Sequence, residues 1–142
     1  MSLRHTKEIF DFKIASCPPQ NCVDEERNNV YRFSKTEHIT TATFETPYEI
    51  KPCRMNPLTT DKNLEKQCSL LALSFYISEE SARTAYLQLK SEIPNFRMTH
   101  LVSGIILVGY GMSSPPNKKS GHFDHHPYKD TYYKDFDLVG KL

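Results

Sequence analysis

Apolar and polar residues alternate at period two over residues 8–15 (EIFDFKIA), where Phe10, Phe12 and Ile14 fall on one side. That alternation predicts a half-buried strand. Residues 17–29 (CPPQNCVDEERNN) are polar, with two prolines and a charge run, and predict a loop. Residues 1–29 therefore read as an N-terminal strand and polar loop, an arm on a core domain spanning residues 30–142. Residues 30–34 (VYRFS) predict a short strand with Tyr31 and Phe33 on one face and Arg32 on the other. Residues 41–50 (TATFETPYEI) have strand composition interrupted by Pro47, which fits an edge strand or a bulge. Residues 52–63 carry two prolines and many turn formers, and predict a loop that closes in a helical turn near Leu64.

The clearest pattern lies in the middle of the chain. Residues 68–77 (CSLLALSFYI) form a continuous apolar run, the signature of a central strand. Ser78 can then cap a helix, with Glu79 and Glu80 in the first turn where carboxylates suit the macrodipole. Ala82, Ala85, Tyr86, Leu89 and Ile93 follow at helical spacing, and Pro94 ends the helix. Residues 101–111 predict a second central strand, in which Gly104 and Gly109 weaken pairing or admit a close neighbour. Residues 112–121 (MSSPPNKKSG) predict an exposed loop. Residues 122–128 (HFDHHPY) and 135–139 (DFDLV) predict two further strands. Strands followed by one good helix and then more strands give an α+β single domain, with a mainly antiparallel sheet and one main helix packed on a face.

Composition agrees. A chain of 142 residues is the commonest size of a single domain and buries roughly two-thirds of its unfolded surface. Its 11% aromatic content supplies core material that a disordered chain lacks. The 18 basic and 17 acidic residues nearly cancel, so the strong basic excess of a dedicated nucleic-acid binder is absent. The first residues contain no signal-peptide apolar stretch, and the longest apolar run is about half a bilayer span. A soluble, cytoplasmic protein is expected, with no membrane contact. In a reducing compartment Cys17, Cys22, Cys53 and Cys68 are expected as free thiols, Cys68 in the core. Their spacing, one C-x4-C and two lone cysteines, lacks the paired short spacings of a four-cysteine zinc site, so no metal ligand is assigned and any cofactor is unknown.

The densest chemistry is residues 121–128 (GHFDHHPY). On a strand, His122, Asp124 and His126 share one face, with Phe123 and His125 on the other. Two imidazoles and a carboxylate can serve acid–base catalysis near neutral pH or ligate a metal. Equally, Phe123 can anchor the core and leave the three as ordinary polar residues facing water. The three positions span about 13 Å on a flat strand, too far for one metal without a bend at Pro127. His125 would be a hydrogen-bonded core residue. Arg32 can grip a carboxylate or phosphate, or pair with Glu45 or Glu49. Lys118 and Lys119 can meet a phosphate or an acidic partner, or simply be solvated. Tyr128, Tyr132 and Tyr133 lie among Lys129 and Lys134, whose charges Asp130, Asp135 and Asp137 cancel.

No motif is specific enough to decide whether the protein is an enzyme. The balance of residues favours a small protein-interaction module with exposed tyrosines of the kind enriched in interfaces. A protein partner is expected, homo-oligomerisation stays open, and nucleic acid is not expected. The alternative is an enzyme on a phosphate- or nucleotide-containing substrate, with His122, Asp124 and His126 as its catalytic groups and Arg32, Lys118, Lys119 and Tyr128 holding the ligand.

Overall fold

A computed structural model describes residues 1–55 and 64–142. In chain order the elements are α1 (Thr6–Asp11), β1 (Arg27–Ser34), a 3-10 turn (Thr41–Phe44), α2 (Pro47–Ile50), a second 3-10 turn (Pro52–Arg54), α3 (Leu64–Leu70), β2 (Leu73–Tyr76), α4 (Glu79–Glu92), β3 (His100–Ile106), β4 (Gly111–Ser113), β5 (His122–Pro127) and β6 (Phe136–Lys141). The six strands form one sheet in the order β4-β5-β2-β1-β3-β6, and every neighbouring pair is antiparallel. This is an α+β domain with one main helix. The part of the loop expected at residues 56–63 lies outside the described residues.

Strand alternation makes two layers. Val30, Leu73, Phe75, Val102, Ile106 and Phe123 cluster on one face with Phe44, Tyr133 and Phe136. Phe75 and Phe123 are cross-strand partners and stack with ring centroids 5.7 Å apart. The 3-10 turn and the chain before β6 supply the cover through Phe44 and Tyr133, stacked at 4.7 Å. On the other face α4 packs against Tyr31, Phe33, Tyr76 and Leu101 through Ala82 and Ala85. Ser78 caps α4 by accepting from the Ser81 amide at 3.0 Å, and the Ser81 hydroxyl accepts from the Ser78 amide at 3.2 Å. The helix ends two residues before Pro94, as steric conflict with the proline ring requires.

Three stretches fold differently from the elements expected of them. Residues 8–15 do not form a strand: α1 occupies the first half of them, Phe10 is exposed, and Ile9, Phe12 and Ile14 turn toward a cluster with Met55, Cys68 and Leu71. The apolar run at residues 68–77 is split. Its first part is the end of α3, Leu71 and Ala72 are fully buried in the turn, and only Leu73–Tyr76 is strand. A short apolar run is compatible with either structure. Residues 41–50 are a 3-10 turn and α2 instead of an edge strand. Thr46 accepts from the Glu49 amide, Glu49 accepts from the Thr46 amide at 3.0 Å, and Pro47 sits at the first helical position. That reciprocal box is a helix start.

The strand expected over residues 101–111 ends at Ile106 and re-forms after a turn as β4. Gly104 lies where a Cβ would stand 2.2 Å from the Asp135 carbonyl oxygen and 2.6 Å from the Phe136 ring, so the close approach anticipated there is real. The cysteines are not all free: Cys17 and Cys68 form a disulfide, while Cys22 and Cys53 remain thiols. No helix among the described residues is long and apolar enough to cross a membrane.

Candidate functional site

β5 holds His122, Asp124 and His126 on one face, and α3 meets the latter two. Ser69 of α3 donates to Asp124 Oδ2 at 2.7 Å, and His126 Nε2 lies 3.9 Å from Cys68 Sγ. His126 is 2% exposed and its pKa falls to about 4, burial outweighing the pull of Asp124. It does not face water, contrary to one of the two sequence readings. His122 is half-buried, with its Nε2 2.6 Å from Ser74 Oγ and 3.6 Å from Asp124 Oδ1. Burial lowers its pKa as well, opposed by Asp124. A serine–histidine–carboxylate relay uses the two imidazole nitrogens separately. Here hydroxyl and carboxylate meet the same nitrogen, so a proton taken from Ser74 has no second nitrogen through which Asp124 could stabilise the charge.

His125, on the opposite face, is fully buried. Its Nδ1 lies 2.7 Å from Ser113 Oγ and its Nε2 2.7 Å from the Tyr133 phenol oxygen. Burial, with smaller contributions from His126 and three arginines, depresses its pKa to about 3. It is a neutral core residue with both nitrogens satisfied.

The four expected ligand-binding residues do not converge. Arg32 points into the core, where its guanidinium donates to the backbone carbonyls of Thr43 at 2.8 Å, Ser74 at 3.0 Å and Glu45 at 2.8 Å. Neither the Glu45 nor the Glu49 carboxylate is its partner, and burial lowers its pKa to about 10. The period-two pattern places Arg32 opposite Tyr31 and Phe33, and that opposite face proves to be the larger core. Tyr128 is buried and donates to Asp24 Oδ2 at 3.0 Å. Lys118 and Lys119 are exposed on the β4–β5 loop, Lys119 beside a shallow depression against α4.

A second surface depression, of about 380 Å³, opens where the start of α1, the first 3-10 turn, α2 and the chain before β6 meet. Arg4, Ile39, Glu45, Glu49, Thr131 and Tyr132 are among its walls, over the Phe44–Tyr133 stack. Tyr132 is 68% exposed at its rim. Arg4 is committed inside it, donating from Nη1 to the Phe44 carbonyl at 2.8 Å and to Glu49 Oε1 at 3.0 Å. Burial works to raise the Glu49 pKa, but His5, the Thr46 amide and Arg4 outweigh it and hold the carboxyl at about 2. The Glu45 carboxylate has no ion-pair partner among the described residues. The surface therefore pairs an exposed aromatic ring with an uncompensated carboxylate. Neither depression is lined by His122, Asp124 or His126.

Two clusters escaped the sequence reading. Glu8, His5 and Thr46 run in the order carboxylate, imidazole, hydroxyl, with Oε2–Nδ1 3.5 Å and Nε2–Oγ1 3.0 Å. Thr46 is 0% exposed and its hydroxyl caps α2, so no substrate reaches it. Cys17, Cys68 and His126 bring two sulfurs and Nε2 within 4.8 Å of one another. The Thr46-Pro47-x-Glu49 spacing could have revealed α2, but the sequence offers no short-spacing signal for the cysteine–histidine group. No protein-family model, curated protein or solved structure matches the chain.

Proposed function

We propose that this protein is a small protein-binding module, and that the cleft between Tyr132 and Glu45 receives a basic side chain of its partner. One observation carries the reading: an exposed tyrosine ring shares a concave surface with the Glu45 carboxylate, while the one arginine lining the cleft is already engaged by Glu49 and the Phe44 carbonyl. A lysine or arginine entering there gains an ion pair and an aromatic face together. Each contributes roughly 0.5–1 kcal/mol at an exposed site, so this contact sets specificity and the flanking partner surface must supply most of the affinity. The concentration of histidines on β5 serves internal hydrogen bonds and does not face either depression, which favours binding over catalysis.

As part of the same proposal the protein works in the cytoplasm. Thiol buffers there hold most cysteines reduced, so the Cys17–Cys68 bond would be conditional on the surroundings.

The test is an array of short peptides in which a central lysine or arginine, flanked by aliphatic residues, is exchanged for glutamine or glutamate. Basic peptides should bind the full chain more tightly than their glutamine or glutamate counterparts, and Glu45→Lys together with Tyr132→Ala should remove that preference. Binding that ignores the charge of the central residue, or a preference that survives both substitutions, overturns the reading.

A further inference from the structure

From the cysteine–histidine cluster we infer that Cys17, Cys68 and His126 form a redox-gated site for a thiophilic divalent cation such as Zn²⁺, closed by the disulfide and opened by its reduction. The inference is independent of the protein-binding cleft.

Cys68 comes from α3, His126 from β5 and Cys17 from the loop after α1. Tetrahedral zinc, with bonds of about 2.3 Å to sulfur and about 2.0–2.1 Å to nitrogen, sets its ligand atoms roughly 3.4–3.8 Å apart. Cys68 Sγ and His126 Nε2 are already 3.9 Å apart. The Cys17 sulfur lies in the same group, all three ligand atoms within 4.8 Å of one another, so breaking the S–S bond lets it settle into that spacing. Cys17 lies in a half-buried loop position, where such a shift disturbs no strand.

The surroundings suit this chemistry. Cys68 Sγ is the only hydrogen-bonding contact of the His126 side chain among the described residues, so its Nε2 lone pair is not committed to a strong donor. Ile9, Phe12, Ile14, Met55 and Leu71 pack around the cysteines. Two thiolates, one neutral imidazole and a dication sum to zero charge, the state that an apolar setting tolerates. A set of two sulfurs and one nitrogen selects zinc over the hard cations. Among the described residues no fourth side chain joins the cluster, which leaves one tetrahedral position for water or another donor.

The reaction balances. A dithiol reductant supplies two electrons and two protons, the S–S bond becomes two S–H groups, and the reductant leaves as its own disulfide. The cation then displaces both thiol protons as two metal–sulfur bonds form. A small-molecule disulfide reverses the sequence: it takes two electrons from the thiolates and two protons from water, leaves as two thiols, and the re-formed S–S bond expels the metal.

Titration of the reduced full chain with Co²⁺, a spectroscopic substitute for zinc, tests the inference. One equivalent should bind with a sulfur-to-metal charge-transfer band and tetrahedral ligand-field bands, and the oxidised protein should show neither. His126→Gln and Cys17→Ser should each weaken Zn²⁺ binding by at least about 100-fold, the upper end of what loss of an outer-shell partner costs. Cys53→Ser should leave it unchanged. X-ray absorption on the wild-type zinc form should find two sulfur ligands and a histidine nitrogen, a readout that does not depend on any variant folding. No uptake by the reduced protein, uptake by the oxidised protein, or a shell without histidine or with three sulfurs overturns the site.

Discussion

Tyr133 and His125 meet through a 2.7 Å hydrogen bond between phenol oxygen and imidazole Nε2, beneath the floor of the proposed binding cleft. Ser113 holds the other imidazole nitrogen at 2.7 Å, and Tyr133 stacks on Phe44. The cleft thus rests on a polar chain threaded through an apolar core, and its shape depends on that chain remaining intact.

Tyr133→Phe keeps the ring and strands a buried imidazole nitrogen. An unsatisfied buried polar group costs about 1–3 kcal/mol. Urea unfolding should show the midpoint falling accordingly with an unchanged slope. A midpoint equal to wild type would mean that His125 draws nothing from Tyr133.

Arg32 ties together three backbone carbonyls from two separate segments, residues 43–45 and β2. Arg32→Leu leaves those carbonyls without their donor and should cost on the order of 3 kcal/mol or more, since each hydrogen bond to a charged group contributes about 1.5–3 kcal/mol. Arg32→Lys should recover only part of this, because an ammonium cannot reproduce the planar fork. An Arg32→Lys variant as stable as the wild type in denaturant unfolding would show that the fork geometry is immaterial.

Glu49 titrates near 2 in the folded protein, against an ordinary value of 4.5. Its contribution is therefore fully present above about pH 4.5 and is lost as the pH falls toward 2. The carboxylate keeps about a third of its surface in water (32%), so roughly 1–2 kcal/mol is expected, less than the full linkage value. Glu49→Gln keeps an oxygen to accept from Thr46 and should flatten this part of the stability–pH curve. A slope between pH 4.5 and 2 identical to wild type would refute the assignment.

The disulfide joins residues 51 apart, and closing a loop of that size restricts the unfolded chain by up to about 4 kcal/mol. Reduction in a metal-free buffer should lower the unfolding midpoint by part of that amount, and Cys17→Ser should be insensitive to reductant. If reductant shifts the wild type and Cys17→Ser equally, the effect lies elsewhere.

Sequence periodicity was informative wherever one face of an element meets the core and the other meets a different layer. β1, α4, β5 and β6 follow from it, including Arg32 opposite Tyr31 and Phe33 and His125 opposite His126. It failed where burial surrounds the chain: residues 68–77 are apolar throughout, and nothing in that run marks Leu71 and Ala72 as the turn between α3 and β2. It failed again at residues 8–15, where the exposed Phe10 imitates a strand position. The candidate sites were less legible because they are made by packing. The cleft joins Arg4 to Glu49 and Tyr132 across most of the chain, and His126 reaches Cys68 over 58 residues. The sequence also left open which side of β5 would be covered, and α3 meets Asp124 and His126 on the side that carried the candidate catalytic groups.

The most direct measurement of the binding proposal is a ¹H–¹⁵N correlation spectrum of the full chain during titration with a basic peptide drawn from the array. Shifts confined to Ile39–Glu45 positions on the cleft, Glu49, and Thr131–Tyr133, and weakened in Glu45→Lys, are the predicted result. Shifts centred on β5 around His122 and Asp124, or no shifts with any basic peptide, would contradict it.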